Sequence, residues 1–232
     1  MSGPGESAPP PQQPAAPPPA SPPPPGSSQP PSMPAWTSNI TSTAPVAGPA
    51  GLYYADVPNR IFAIIIDFII VGIATLIVNA IVYAVVGPPT TFRSVPDPTS
   101  ILQVRFETST NYVSALIGAV VALAMSAGYF IYTWTTMRST LGMRVLGMQV
   151  GNAADGATIT MDQAIRRWLA LGGAFSLAQA LNPLPLLGFL LGLAGLIWII
   201  ALIVTTAQSP TKQGLHDQFA GTIVVKAARA VG

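Results

Sequence analysis

The chain has 232 residues and a formal net charge of +2, and only 8% of its residues are charged. An ordinary soluble domain has roughly 25% charged residues, so this chain has too few charges to cover the surface of a typical soluble enzyme. It contains no cysteine and one histidine, His216, which excludes disulfides, thiolate metal sites and histidine-rich metal sites. Its basic residues are scattered, and we expect no nucleic-acid partner.

The first 50 residues differ in composition from the rest. Of the 25 prolines, 17 fall within residues 1–50, together with a single charge, Glu6. Proline runs such as residues 22–25 form neither helix nor sheet and favour extended polyproline II. We therefore expect a disordered, proline-rich N-terminal tail over residues 1–50. Its role is open: a spacer, which we favour, or a ligand for a protein partner that recognises proline-rich segments.

The rest of the chain consists of long apolar stretches. Asp67 is the one charge over residues 61–92, and no charge occurs over residues 108–137 or 168–211. About 20 apolar residues span the hydrocarbon core of a bilayer. The pattern predicts an all-α membrane domain over residues 51–228, a polytopic bundle of about four transmembrane helices in contact with the lipid bilayer. The spans are predicted near residues 59–86, 112–134, 164–182 and 186–207.

The boundaries of these spans have recognisable signals. Asp56 and Pro58 are typical of a helix start, and Thr160 with Gln163 predicts a capping box. Two closely spaced prolines within residues 182–185 separate the third span from the fourth. The third stretch is short, so a shallow interfacial or re-entrant helix is the alternative to a full span there.

The distribution of lysine and arginine predicts the orientation. With four spans, both termini and the loop over residues 135–163 lie on one side. That side has eight lysines and arginines, and the other side has Arg93 and Arg105. The positive-inside rule therefore predicts a multi-pass plasma-membrane protein with both termini in the cytoplasm.

Short β-rich runs occur on the predicted cytoplasmic side. Residues 145–150 and 157–160 read as strands that flank a turn, and residues 222–225 read as a third strand. A small sheet beneath the bundle is the expected result. Small residues such as Gly118 and Gly192 recur every four positions on the predicted helices, which favours close packing within the chain or in a homo-oligomer.

Two charges in the first helix are the leading functional candidates. Arg60 and Asp67 are seven residues apart, so they lie within roughly 20° of one helix face. A carboxylate at the centre of a bilayer costs about 2.5–3.5 kcal/mol. Asp67 is therefore either a proton or cation carrier site or a satisfied buried carboxylate that fixes helix packing, and Arg166 is a candidate partner for it.

A second group of candidates follows the last span. His216 and Asp217 are adjacent, which fits a proton relay or, as we favour, a fixed turn in which Asp217 caps or pairs with Arg60 or Arg144. No phosphate-binding loop, zinc-protease motif or nucleophile elbow is present. We expect no enzymatic activity, no cofactor and no metal site.

These residues together resemble the RDD family of bacterial membrane proteins. The resemblance rests on Arg60 to Asp67, residues 141–150, residues 163–167 and residues 213–225, in that order along the chain. Met143 stands where the family usually has lysine, and the proline-rich tail resembles those of actinobacterial members. The resemblance implies that Arg60, Asp67 and Asp217 are the characteristic charged residues. From the residues themselves, His216, Arg144 and Arg166 are candidates for a supporting role.

The resemblance also implies a function class. Transport of unidentified ligands, and cation/proton exchange for some members, are the activities associated with the family. The first hypothesis is therefore a secondary transporter or cation/proton exchanger that uses Asp67, with Arg60 and Asp217 near its cytoplasmic mouth. The alternative is a membrane scaffold that does not transport and recruits partners through its proline-rich tail.

Overall fold

The fold is described here from a computed structural model, which covers residues 46–180 and 185–226. Most of the predicted tail, residues 1–45, lies outside the described residues, as do residues 182–184 of the predicted break between the third and fourth spans. In chain order the described elements are β1 (Tyr53–Tyr54), α1 (Val57–Val86), β2 (Thr90–Pro96), β3 (Val104–Thr110), α2 (Tyr112–Thr136), α3 (Leu141–Val145), β4 (Met148–Asn152), α4 (Met161–Trp168), α5 (Ala174–Ala180), α6 (Pro185–Gln208), α7 (Leu215–Ala220) and β5 (Thr222–Lys226).

Within these residues, three helices are long and apolar enough to cross a membrane: α1, α2 and α6. Their 30, 25 and 24 residues correspond to about 45, 37 and 36 Å at 1.5 Å per residue, more than the roughly 30 Å of a hydrocarbon core. The bounds of these helices lie within two residues of those predicted for the first, second and fourth spans. The protein is mostly helical, as expected.

The third predicted span, residues 164–182, is not one continuous helix. It is divided into α4, a π-helical turn over Leu169–Gly173 and α5. Gly172 has φ 149° and ψ −8°, a backbone conformation that interrupts the helical hydrogen bonds and that glycine tolerates because it has no Cβ. The predicted count of four spanning helices is therefore not confirmed. The predicted capping box of Thr160 and Gln163 is present at the start of α4.

A three-stranded antiparallel sheet has the order β1-β5-β4. It pairs Tyr54 with Val225 and Val150 with Val224. The prediction of a strand at residues 222–225 is correct. The strand predicted at 145–150 begins at Met148 instead, because Thr140 caps a short helix, α3, just before it. The strand predicted at 157–160 is wrong: those residues belong to no strand, although the carbonyl of Ala157 accepts a hydrogen bond from the N–H of Asn152 at 2.9 Å.

The sheet places three parts of the chain at one end of the bundle. β1 precedes α1, β4 follows α2 and β5 follows α6, so the start of α1 and the ends of α2 and α6 lie close to the same sheet. We call this the sheet end. At the opposite end, β2 and β3 form a two-stranded hairpin between α1 and α2, an element that the sequence reasoning missed.

Burial is concentrated at the sheet end. The buried apolar cluster there includes Phe130, Trp134, Met148 and Val224. Along the long helices, by contrast, large apolar side chains are exposed, for example Leu76 at 70% and Leu186 at 72%. Outward-facing leucine and isoleucine on helices of this length are what a surrounding lipid bilayer requires.

Candidate functional site

Asp217 is the centre of a buried charged cluster at the sheet end. Its side chain is 0% exposed, and its Oδ2 atom lies 2.5 Å from Nη1 of Arg60, which has a side-chain exposure of 12%. Nη1 of Arg167, whose side chain is 5% exposed, binds the other carboxylate oxygen. One carboxylate is thus shared by two guanidinium groups that come from α1 and α4. We refer to Arg60, Arg167 and Asp217 as the charged cluster.

Backbone and aromatic groups hold the two arginines in place. Arg60 donates from Nε to the carbonyl of Ala55 at 3.1 Å and from Nη2 to that of Val224 at 3.3 Å. Arg167 donates to the hydroxyl of Thr222 at 2.6 Å, and its guanidinium carbon lies 5.1 Å from the centre of the Trp134 ring. Such planar stacking and multiple donation are typical of buried arginine. The cluster therefore joins α1, α4 and the strand β5.

Neighbouring charges keep Asp217 ionised, whereas burial keeps the adjacent His216 neutral. Burial alone raises the pKa of Asp217, but the guanidinium charges of Arg167 and Arg60 lower it more, so the pKa is held well below its usual range. His216 lies 3.5 Å from Asp217, measured from Nε2 to Oδ1. Burial lowers the pKa of His216 to about 4, against the opposing attraction of Asp217. At neutral pH the imidazole is therefore uncharged.

Asp67 lies apart from the charged cluster and has different partners. Its side chain accepts hydrogen bonds from the Tyr129 hydroxyl at 2.7 Å, the Thr140 hydroxyl at 2.5 Å and the Gly142 backbone N–H at 2.8 Å. All three donors are neutral groups. Asp67 is 2% exposed and connects α1 to α2 and to the start of α3. Its carboxylate is thus well solvated by the protein although it lies within a membrane helix.

The directions of these hydrogen bonds are determined by the backbone. The Tyr129 oxygen accepts from the N–H of Leu141 at 3.0 Å, and the Thr140 oxygen accepts from the N–H of Met143 at 3.2 Å. Each hydroxyl therefore has its proton free to donate to Asp67. An ionised carboxylate is the acceptor that this arrangement favours.

Gly142 allows α3 to come this close to α1. A Cβ atom placed on Gly142 would lie 2.2 Å from the carbonyl oxygen of Ala63 and 3.0 Å from Cγ of Asp67. No larger side chain fits without moving the backbone. The close contact explains why the loop can present a backbone N–H directly to the Asp67 carboxylate.

The candidates from the sequence are thus separated into two groups. Arg60, Asp217 and His216 come together, and the suggested pair of Arg60 with Asp217 is formed. Asp67 binds the Thr140 region rather than Arg166, because Arg166 is exposed and lies 2.9 Å from Asp162 one helical turn earlier. Arg144 is also exposed, in α3.

Arg167, Tyr129 and Thr140 were not singled out from the sequence. A signal for Arg167 was available: buried Ala164 lies three residues before it and the aromatic Trp168 follows directly, so Arg167 lies on the inward face of an amphipathic α4. No comparable signal marks Tyr129 or Thr140, since their role depends on which segments meet in space.

A cavity of about 320 Å³ connects the two groups. It lies between α1 and α6 at the sheet end, and its lining is mostly apolar. Asp67 lines it, and so do Arg60, Arg167 and His216. Its volume is at the lower end of the range of about 300–1,000 Å³ found for small-molecule sites. Across the described residues, no group of three or more His, Cys, Asp or Glu side chains that could hold a metal ion occurs.

Comparison with known proteins identifies the family. The sequence model of the RDD family matches residues 54–221, which is most of the chain and includes α1, α2, α6 and the charged cluster. No curated protein and no solved structure matches. The chain therefore belongs to the RDD family, and it is a membrane protein with apolar spanning helices.

Proposed function

We propose that this RDD-family protein is a secondary transporter that carries a proton or a cation on Asp67. The observation that carries the proposal is a buried carboxylate, in the first membrane helix, that also lines a cavity. A carboxylate has roughly four acceptor positions, and described residues fill three of them. The remaining position suits a transferable proton or a cation that binds oxygen.

The charged cluster then has a positioning role in the proposed transporter. Arg60 lies seven residues before Asp67 on α1, about 10.5 Å along the helix axis, and both line the cavity. An ion that reaches Asp67 from the sheet end passes Arg60 and Arg167. We further propose that the sheet end faces the cytoplasm of a plasma-membrane protein, in accordance with the excess of lysine and arginine there.

A second candidate is a membrane scaffold without transport activity. The specific observation in its favour is that backbone N–H groups orient both hydroxyls toward Asp67, an arrangement that suits a permanent structural carboxylate. The small residues on α2 also allow close packing within the chain, since a Cβ atom on Gly118 would overlap the side chain of Tyr83 on α1. In this proposal a protein partner binds the proline-rich N-terminal segment, and the chain has no enzymatic activity in either case.

Transport is tested with purified protein in liposomes that contain a pH-sensitive dye. An outward or inward gradient of sodium or potassium is applied, and the change in internal pH is followed. We expect a cation-dependent pH change that disappears in Asp67→Asn. Asp162→Asn is the matched control, because it removes an exposed carboxylate by the same chemical change and should leave the activity unaltered.

Two outcomes would contradict the transport proposal. One is a wild-type protein, correctly folded and oriented, that produces no pH change with any of these ions. The other is an Asp67→Asn variant that transports at the wild-type rate. Either result would favour the scaffold, for which pull-down with the isolated segment of residues 1–45 is the corresponding test.

A further inference from the structure

The cavity between α1 and α6 has two features that its proposed role in transport does not use. Its sides are open and apolar, and its end at the charged cluster is cationic. Of its lining residues, Ile65 and Phe68 on α1 and Ile199 and Ile203 on α6 are between 39% and 57% exposed. These side chains belong to spanning helices, so the opening faces the lipid. An acyl chain can therefore enter between the helices without crossing a polar surface.

The length of the cavity matches one leaflet. Its lining on α1 extends from Val57 at the sheet end to Phe68, eleven residues and about 16 Å along the helix. Half of a hydrocarbon core is about 15 Å. A lipid from the leaflet on the sheet side would therefore place its headgroup near Arg60 and its acyl chain along the cavity toward the bilayer midplane.

Within the cavity lining, the two arginines of the cationic end, Arg60 and Arg167, share one carboxylate. That carboxylate belongs to Asp217, while His216 is neutral at pH 7. Asp56 also interacts electrostatically with Arg60; it is partly buried and lies outside the cavity lining. Two guanidinium groups thus border the cavity, and Asp67, the other charge that lines it, is about 10 Å away along α1.

Two buried polar atoms without hydrogen-bond partners in the described part of the chain also favour an anionic ligand at this end of the cavity. The Nε atom of Arg167 and the Nδ1 atom of His216 are buried and have no hydrogen-bond partner among the described residues, although both residues line the cavity. A buried donor without a partner is costly. An anionic oxygen at this end of the cavity would accept from Arg167 and remove that cost. Basic pockets between membrane helices bind anionic lipid headgroups through charge attraction.

We propose that the cavity between α1 and α6 binds one anionic phospholipid of the adjoining leaflet, with its phosphate at Arg60 and Arg167 and an acyl chain between the two helices. The proposal does not depend on transport, because it concerns binding in the absence of any ion gradient. The bound lipid supplies an acceptor for the buried Nε–H of Arg167 and fills the apolar cavity.

The experiment is native mass spectrometry of the detergent-purified protein after incubation with equal amounts of phosphatidylglycerol and phosphatidylcholine of the same chain length. We expect one tightly bound phosphatidylglycerol per chain, with a preference of about fivefold over phosphatidylcholine for one unbalanced cation. Equal binding of the two lipids, or no retained lipid, would overturn the proposal.

Two matched variants on α6 locate the site. Ile203→Phe adds a ring within the cavity and should abolish retention of phosphatidylglycerol. Ile200→Phe makes the same change on a residue of α6 that is 53% exposed and does not line the cavity, so it should retain the lipid as the wild type does. Retention in Ile203→Phe equal to that in Ile200→Phe would place the lipid elsewhere and contradict the proposal.

A third variant tests whether the charge of Arg167 is responsible for the preference for the anionic lipid. Arg167→Gln leaves Arg60 and Asp217 as a balanced pair, so the fold has no uncompensated buried carboxylate. We expect this variant to bind the two lipids equally. If Arg167→Gln does not fold, the comparison of Ile203→Phe with Ile200→Phe still decides the proposal.

Discussion

The guanidinium of Arg60 lies 2.5 Å from the carboxylate of Asp217, which is 157 residues later in the chain. This contact connects the start of the first membrane helix to the short helix after the last one. Asp67, on the same face of α1, instead binds the segment that follows α2. The two aspartates therefore stabilise different junctions of the fold, and their substitutions are expected to have different effects.

Asp217→Asn is expected to destabilise the protein more than Arg60→Gln. Without the carboxylate, two buried guanidinium groups would face each other unpaired, whereas Arg60→Gln leaves Arg167 paired with Asp217. Breaking a buried ion pair costs about 3–5 kcal/mol. Thermal unfolding in detergent measures the difference, and the double variant Arg60→Gln/Asp217→Asn should recover part of the loss. A smaller effect for Asp217→Asn than for Arg60→Gln would contradict this account of the cluster.

Asp67→Asn should lower the free energy of unfolding by a moderate amount. The amide oxygen can still accept from Tyr129 and Gly142, but its NH₂ group then faces the donating hydroxyl of Thr140. The loss of one hydrogen bond to a charged group is about 1.5–3 kcal/mol. Asp67→Ala should cost more, because all three donors lose their acceptor. The measurement is chemical or thermal unfolding of the three proteins side by side, and equal stability of Asp67→Ala and the wild type would be incompatible with the observed contacts.

Gly142→Ala is expected to separate α3 from α1. The new methyl group would overlap the carbonyl of Ala63, and overpacking of this kind costs typically 1–3 kcal/mol. Gly128→Ala is the control, because a Cβ atom on Gly128 meets nothing within 4 Å and alanine is the better helix former. The melting temperature should fall for Gly142→Ala and stay level or rise for Gly128→Ala. A fall of the same size in both would show that the contact with Ala63 is not responsible.

Acidification is expected to destabilise the protein through His216. Burial lowers the pKa of His216 to about 4 from the model-peptide value of 6.5, so between these two pH values the unfolded chain binds more protons than the folded one. The free energy of unfolding is then largest above pH 6.5 and falls as the pH drops toward 4, by up to about 3 kcal/mol. Unfolding measured at several pH values checks the slope. His216→Asn should flatten it over this interval, and an unchanged slope would assign the effect to other groups.

Cysteine labelling tests the placement of the two ends of the bundle. The chain has no native cysteine, and Ala154 after β4 and Ser94 in β2 are both exposed. In intact cells an impermeant reagent should label Ser94→Cys, and it should label Ala154→Cys only after the membrane is opened. Labelling of both residues from the same side would contradict the arrangement of the sheet and the hairpin at opposite ends.

The spanning helices could be predicted from the sequence because the signal is local. Exclusion of charge from about 20 consecutive residues is a requirement of the lipid, and it holds for α1, α2 and α6 whatever they pack against. The same reasoning was less reliable for residues 164–182. There the π-helical turn and Gly172 divide the helix, and no property of composition distinguishes a broken helix from a short continuous one.

The charged residues themselves were also visible in the sequence, since a carboxylate such as Asp67 inside an apolar stretch is conspicuous. Their partners were decided by the tertiary structure. Whether Arg166 or Arg167 faces inward depends on the rotation of α4 against α2, a difference of about 100° between neighbouring residues. The partners of Asp67 come from a segment more than 60 residues away that Gly142 allows to approach. Local apolarity determined where the chain enters the membrane, whereas long-range packing decided which buried charges meet.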